Sequence, residues 1–287
     1  MRTKDDHDNH SAGSRQPSVL VVTGYGINCE EETAYAFRLA GAETTIAHVN
    51  DLLDGRESLE RHQILALPGG FSYGDALGSG LALANKIRFA PGPGGTLLER
   101  IRRFVAAGKQ VIGICNGFQV LVKTGLLPGL DPALTPAVSL AGNDSGRFED
   151  RWVHLAVDSR RAVAVRGIKA LFLPVRHGEG KFVTGSTDLL TQLGERGQVV
   201  LRYADPPEFS PTMAYPANPN GSEGAVAGIC DPTGRVLGLM PHPEAFLTFY
   251  NHPCWARLRA EGKVPQSEEG EGLALFYNMV RFAGGDQ

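Results

Sequence analysis

Gly113-Ile114-Cys115-Asn116-Gly117 is the segment of the chain best suited to chemistry. It falls where a short apolar run, 110–114, gives way to a helical pattern over 116–123. Gly-x-Cys-x-Gly at such a junction is the cysteine form of the nucleophile elbow. A sharp strand-to-helix turn holds the nucleophile in a strained conformation. The flanking glycines remove Cβ atoms that would clash with neighbouring chain. The helix N-terminus beyond lowers a thiol pKa and offers free amides to a developing oxyanion. The same five residues also fit a buried cysteine between two convenient glycines, so partner residues must decide.

A cysteine nucleophile needs a base. Of eight histidines, His7 and His10 lie in a polar N-terminal stretch, and His48, His62 and His154 fall in strand or helix patterns that suit structural roles. His242 is different. It follows an apolar run, in Met240-Pro241-His242-Pro243-Glu244, where the flanking prolines stiffen the loop. Glu244 is placed to accept a hydrogen bond from one ring nitrogen and so fix tautomer and orientation, as the acid of a catalytic triad does. Alone, His-x-Glu also fits an exposed loop with an incidental ion pair. A third segment, Leu67-Pro68-Gly69-Gly70-Phe71, also leaves an apolar run. The Gly70 amide could pair with that of Asn116 as an oxyanion hole, although the segment taken alone reads better as a Gly-rich turn.

These residues need a frame that brings three strand ends together. Apolar runs at 18–23, 44–49, 64–67 and 110–114 read as buried strands. Helical patterns at 30–40, 96–107 and 116–123 each stop at a glycine (Gly41, Gly108, Gly125). Strands alternating with helices predict a doubly wound, mostly parallel α/β sheet, whose sites lie along its carboxyl edge. Beyond residue 137 the texture changes. Runs at 152–157, 170–175, 199–203, 225–230 and 235–240 read as strands with little helix between them, and Asp231-Pro232-Thr233-Gly234 as the turn of a hairpin. An amphipathic segment over 272–282 closes the chain. The expectation is one α/β domain over 18–287 with an antiparallel extension, preceded by a disordered tail over 1–17.

Composition narrows the class. The 287 residues are 42% hydrophobic and 21% charged, with a formal net charge of −3. That excludes a mainly disordered chain and gives no basic surface for nucleic acid. No apolar run approaches the length of a membrane span. Cys29, Cys115, Cys230 and Cys254 are widely spaced, without the pairing of a zinc motif or a disulfide framework. A cytoplasmic protein with reduced thiols is expected. No G-x-x-x-x-G-K-[ST] is present, so the usual phosphate-cradling loop is lacking.

Strand–PGG, GxCxG and HPE in this order resemble the class I (triad) glutamine amidotransferases, with their flavodoxin-like sheet. Gly69–Asp75 (GGFSYGD), Gly113–Gln119 (GICNGFQ), His177–Gly180 (HGEG) and Tyr215–Ser222 (YPANPNGS) look, more narrowly, like the glutaminase part of phosphoribosylformylglycinamidine synthases. The likeness runs from about Val19 to Phe282. It implies that Cys115 attacks the side-chain amide of glutamine, that Gly70 and Asn116 bind the oxyanion, and that His242, oriented by Glu244, moves protons. It implies that Gly69, Phe71, Gln119 and His177 line or hold the glutamine pocket, with Glu179 nearby. It also implies no cofactor in this chain. ATP and Mg²⁺ would sit on a partner synthetase subunit that uses the ammonia to convert formylglycinamide ribonucleotide to formylglycinamidine ribonucleotide. Asn218 and Asn220 lie in a Pro/Gly-rich loop, where they read either as plain turn residues or as contacts to that partner near the ammonia exit. Other readings of the same architecture are a glutaminase feeding a different synthetase, a cysteine peptidase, or a binding module with a merely redox-active Cys115. Three features depart from the pattern. Ala245 follows HPE where the family often has Arg. Asn28-Cys29 matches the compact bacterial subunits. Asp51–Gly55 and Tyr215–Ser222 look more like the large single-chain synthase, which leaves open whether a third, small subunit joins the complex.

Overall fold

The computed structural model describes residues 16–74 and 76–285. Most of the expected tail, and Asp75 of the GGFSYGD motif, lie outside the described residues. The N-terminal half runs β1 (Ser18–Thr23), α1 (Glu30–Leu39), β2 (Glu43–His48), α2 (Val49–Leu53), β3 (Ile64–Leu67), α3 (Leu81–Phe89), α4 (Leu97–Ala106), β4 (Gln110–Ile114) and α5 (Asn116–Lys123). Then follow β5 (Ser139–Gly142), β6 (Glu149–Val157), β7 (Ala170–His177), β8 (Glu179–Val183), α6 (Thr187–Glu195), β9 (Val199–Asp205), β10 (Ser210–Pro211), β11 (Val226–Cys230) and β12 (Val236–Leu239). Two helices, α7 (Trp255–Ala260) and α8 (Leu273–Ala283), complete the chain.

The main sheet has the order β2-β1-β3-β4-β12-β11-β9-β6-β7, with β10 paired to β9. Its β2-β1-β3-β4-β12 part is parallel, which is the flavodoxin-like order. From β12 onward the pairs are antiparallel. The central parallel strands read as nearly unbroken apolar runs because both faces are covered, whereas the edge strand β2 is largely half-buried and more polar. Every residue of β3 and β4 is buried. One helical group joins α1 to α8, with the Phe37 and Phe276 rings 4.9 Å apart, edge to face. The other packs α3 against α4 and α5. A small second sheet pairs β5 with β8.

Differences from the expected elements have local causes. Val49 opens α2 rather than ending β2. The His48 ring accepts from Asn50 N (3.1 Å) and Asp51 Oδ2 accepts from His48 N (3.2 Å), a cap that turns the chain into a helix. α3 lacked a start signal, since its N-cap is Gly80 at φ 75° with no side-chain cap. α6 buries only Leu193 fully, so its apolar period is faint. α7 buries no residue at all.

The turn between β4 and α5 positions the rest. A Cβ on Gly113 would stand 2.6 Å from the Gly117 carbonyl oxygen and 2.6 Å from Leu121 Cδ1. A Cβ on Gly117 would fall on the Leu67 carbonyl oxygen at the end of β3. Gly117→Ala is therefore expected to lower the unfolding free energy by about 1–3 kcal/mol, as overpacking does. Gly142→Ala, where a Cβ meets nothing within 4 Å, should stay within about 0.5 kcal/mol of the parent. Urea midpoints of the two variants check this. Equal midpoints would mean that the elbow yields freely.

Candidate active site

Four parallel strands deliver their carboxyl ends to one place. β4 ends in Cys115, β12 in Met240-Pro241-His242, β3 in Pro68-Gly69-Gly70, and β1 in the loop to Cys29. Cys115 sits at φ 51°, ψ −103°, a left-handed conformation that costs a non-glycine residue about 1–3 kcal/mol. It is anchored through its own amide, which donates to Leu239 O at 2.8 Å. Its Sγ lies 3.6 Å from the Arg176 carbonyl oxygen at the end of β7.

His242 is 2% exposed and Glu244 4%. Nδ1 of His242 and Oε1 of Glu244 are 2.6 Å apart. The His242 amide donates to Pro174 O at 2.8 Å, which fixes the loop against β7. Burial opposes charge on the imidazole, but Glu244 and the neighbouring Cys115 outweigh it, and the pKa is held well above 6.5. An imidazolium beside a cysteine sulfur is the arrangement that supplies a thiolate near neutral pH. Nε2, the nitrogen turned away from Glu244, has no hydrogen-bond partner among the described residues.

Between these groups lies a cavity of about 130 Å³, lined by Cys29, Gly70, Phe71, Cys115 and His242 among others. A hollow of about 560 Å³ lies elsewhere, against His154 and Phe172, so volume does not mark the site. Gly70 adopts φ +139° and bridges to Ile27. The two hydrogen bonds of that bridge are Asn28 N to Gly69 O (3.3 Å) and Phe71 N to Gly26 O (2.7 Å), which leave the Gly70 amide out of the pairing. The Asn116 amide, first in α5, likewise has no backbone partner. Two amides without backbone partners thus stand at the two strand ends that the sequence nominated for an oxyanion hole. Gly69 serves close approach, since a Cβ there would stand 2.8 Å from His242 Cε1. Phe71 is 41% exposed at the rim, tilted against Phe148.

The remaining nominated residues stand behind the cavity. Gln119 is buried and committed at both ends of its amide. Its Oε1 accepts from Asn116 Nδ2 at 3.0 Å, and its Nε2 donates to Glu179 O at 2.6 Å. Asn116 Oδ1 accepts from Ser72 N at 3.3 Å, so one chain of hydrogen bonds ties the Gly-rich loop, the elbow and β8 together. The Glu179 carboxylate accepts from Ser79 N at 3.1 Å, ahead of α3.

His177 is also buried. Its Nδ1 lies 3.1 Å from Asn143 Oδ1, and its Nε2 lies 3.5 Å from Asn220 Nδ2. Burial, with the charge on His242, pushes its pKa down to about 4, so it is neutral near pH 7. Asn218 and Asn220 correct the expectation of a partner contact. They are 1% and 0% exposed. Asn220 Nδ2 donates to Gly180 O (2.8 Å), and Oδ1 of each accepts from Ser222 N (3.0 and 3.1 Å). They hold a buried turn and are out of reach of another chain. Cys29 was missed as a pocket residue. Its signal was its place six residues beyond β1, at the N-cap of α1.

This architecture, a flavodoxin-like sheet with a buried Cys, His and Glu at its carboxyl edge, is that of the triad-type amidotransferases. The family model described as "CobB/CobQ-like glutamine amidotransferase domain" matches residues 16–283. The phosphoribosylformylglycinamidine synthase subunit PurQ of Dehalococcoides mccartyi is 46% identical over 266 residues, 92% of this chain and 96% of that one. Its counterpart in Methanococcus maripaludis is 42% identical over 273 residues, 93% and 98% of the two chains. A chain in the structure of PurLQS from Thermotoga maritima superposes with a TM-score of 0.64 at 27% identity, over 93% of this chain and 99% of that one. The chain belongs to the CobB/CobQ-like glutamine amidotransferase family and, within it, to the PurQ subunits of phosphoribosylformylglycinamidine synthase.

The low pKa of His177 has a consequence for stability. Below pH 6.5 the unfolded chain takes up a proton at this residue that the folded chain refuses down to about pH 4. Stability therefore falls as pH drops from 6.5 to about 4, by up to about 3 kcal/mol from this group. In His177→Gln that portion of the slope should vanish, which urea midpoints across the interval would show. An unchanged slope would assign the acid loss to other groups.

Proposed function

We propose that this chain is the glutaminase subunit of phosphoribosylformylglycinamidine synthase, with Cys115 as nucleophile. The observation that carries the mechanism is Cys115, held at its left-handed elbow beside the buried His242–Glu244 pair. The Cys115 thiolate attacks the side-chain amide carbon of glutamine. The negative oxygen that forms is met by the Gly70 and Asn116 amides. Collapse breaks the C–N bond, and the His242 imidazolium gives its proton to the departing nitrogen, releasing ammonia. The imidazole, now neutral, takes a proton from water as the oxygen attacks the thioester. The tetrahedral adduct expels glutamate and restores the Cys115–His242 pair. Glu244 accepts from Nδ1–H, which keeps Nε2 facing the reaction.

On this reading ammonia passes to a synthetase subunit, which carries ATP and Mg²⁺ and amidates formylglycinamide ribonucleotide. Gly69, Phe71, Gln119 and His177 act by shape and support: Gly69 admits His242, Phe71 forms the rim, and the other two brace the pocket from behind. The four cysteines are free thiols, and no helix among the described residues is long and apolar enough to cross a membrane. Both observations fit the proposed cytoplasmic location.

Glutamate release should be measured on the purified chain, alone and with the synthetase subunit, ATP and formylglycinamide ribonucleotide. A gated subunit is slow alone and much faster in the full system. Equal rates would remove the pathway assignment. Cys115→Ala should lose at least about 10³-fold in kcat, and Glu244→Gln about 10²- to 10⁴-fold with KM little changed. Full activity in Cys115→Ala would overturn the nucleophile.

A further inference from the structure

An exposed aromatic ring stands at the catalytic cavity without a part in the mechanism. Phe148 lies in the connection from β5 to β6, is 52% exposed, and lines the cavity together with Phe71, Cys115 and His242. Two contacts place its ring. The centroid lies 6.3 Å from that of Phe71 with the planes tilted by 39°, within the range of attractive aromatic pairs. A Cβ on Gly178 would stand 4.0 Å from Phe148 Cδ2. The ring therefore sits between the Gly-rich loop after β3 and the corner between β7 and β8.

A buried polar frame fixes the backbone on both sides of this ring. Asn143 donates through Nδ2 to Arg147 O (2.9 Å) and to His177 O (2.8 Å). Its Oδ1 accepts from Gly180 N (3.2 Å), and its amide donates to Gly178 O (3.0 Å). Glu149, next after Phe148, is buried opposite His177 in the β6–β7 pairing. Its carboxylate accepts from Arg151 Nε at 2.8 Å. Phe148 is thus tied to the strand end whose Arg176 carbonyl meets Cys115 Sγ.

With the carboxamide carbon of glutamine at Cys115 Sγ, the rest of the molecule must leave through the cavity mouth. Two methylene groups come first, then the ammonium and carboxylate on the α-carbon. Methylenes gain from an apolar wall, and the charges need water. Phe71 and Phe148 supply such a wall, and both reach solvent.

We propose that Phe148 is a specificity-determining residue of this site, whose ring, paired with Phe71, packs on the two methylenes of glutamine. Asparagine, one methylene shorter, brings its α-charges level with the rings when its amide reaches Cys115. Those charges then lose water without gaining a partner, and the shorter amide is rejected. The substrate contact rests on the function proposed above, whereas the place of the ring over the thiol does not.

In the assembled synthase, Phe148→Ala should raise the KM for glutamine at least about tenfold and leave kcat within about threefold of the parent. The preference for glutamine over asparagine in kcat/KM should fall at least about tenfold. Phe148→Leu keeps an apolar side chain and should recover most of both effects, and it serves if the alanine variant folds poorly. Alkylation of Cys115 in the isolated chain, followed by peptide mass spectrometry, needs no turnover. Phe148→Ala should speed the reaction with N-ethylmaleimide more than that with the smaller iodoacetamide. An unchanged KM, an unchanged preference over asparagine, or an unchanged ratio of the two alkylation rates would overturn the proposal. An unchanged KM with weaker binding of the synthetase subunit would make the ring a partner contact instead. Retained glutaminase activity in Cys115→Ala, or the alkylation effect without any glutamine turnover in the parent, would overturn the function reading.

Discussion

The wedge at the β4–α5 turn governs this molecule. Cys115 can adopt its left-handed conformation only because Gly113 and Gly117 let strand, helix and the end of β3 close to backbone contact. The local strain, about 1–3 kcal/mol, is offset by the packing of α5, seven of whose eight residues are buried. From that one constraint follow the place of the sulfur on the cavity wall, the free amide of Asn116, and the nearness of the Gly69-Gly70 loop. The β12 loop then has one place to put His242, and Glu244 follows it into the interior.

Burial of the His242–Glu244 pair sets the electrostatics. A fully enclosed imidazole would ordinarily lose its proton, yet here the adjacent carboxylate and thiol reverse the balance. His177 shows the opposite outcome, next in the chain to the Arg176 carbonyl that meets the Cys115 sulfur. It has amide neighbours instead of a directly bonded carboxylate, feels the charge on His242, and stays neutral. Two buried histidines in one region thus take different protonation states because of what each touches. The neutral one braces the β7–β8 corner, and the charged one lines the cavity.

Much of this was legible in the sequence. β1, β3 and β12 announced themselves as largely apolar runs followed closely by glycine or proline, because strands covered on both faces must be mostly apolar. Gly113–Gly117 and His242-Pro243-Glu244 were legible because the chemistry dictates residue types at fixed spacing. What the sequence hid depends on tertiary contact. Gln119 reads as a substrate ligand from its place after the nucleophile, but its amide is taken by Asn116 and by the Glu179 carbonyl. Asn218 and Asn220 read as loop polarity, yet they are buried, satisfied by Ser222 and Gly180. Asn28-Cys29 marks a likeness without a chemical role, and the place of Cys29 beside His242 arises only when β1 and β12 lie in one sheet. α3 and α6 escaped because one has no side-chain cap and the other little buried surface.

The central claim is that Cys115, rather than the neighbouring Cys29, becomes acylated. Acid quenching of the enzyme during turnover, followed by peptide mass spectrometry, tests it most directly. A γ-glutamyl mass increment is expected on the peptide containing Cys115 and none on the peptide containing Cys29, with the increment lost in Cys115→Ala. An adduct on Cys29, or turnover without any adduct under conditions that trap a thioester, would contradict it.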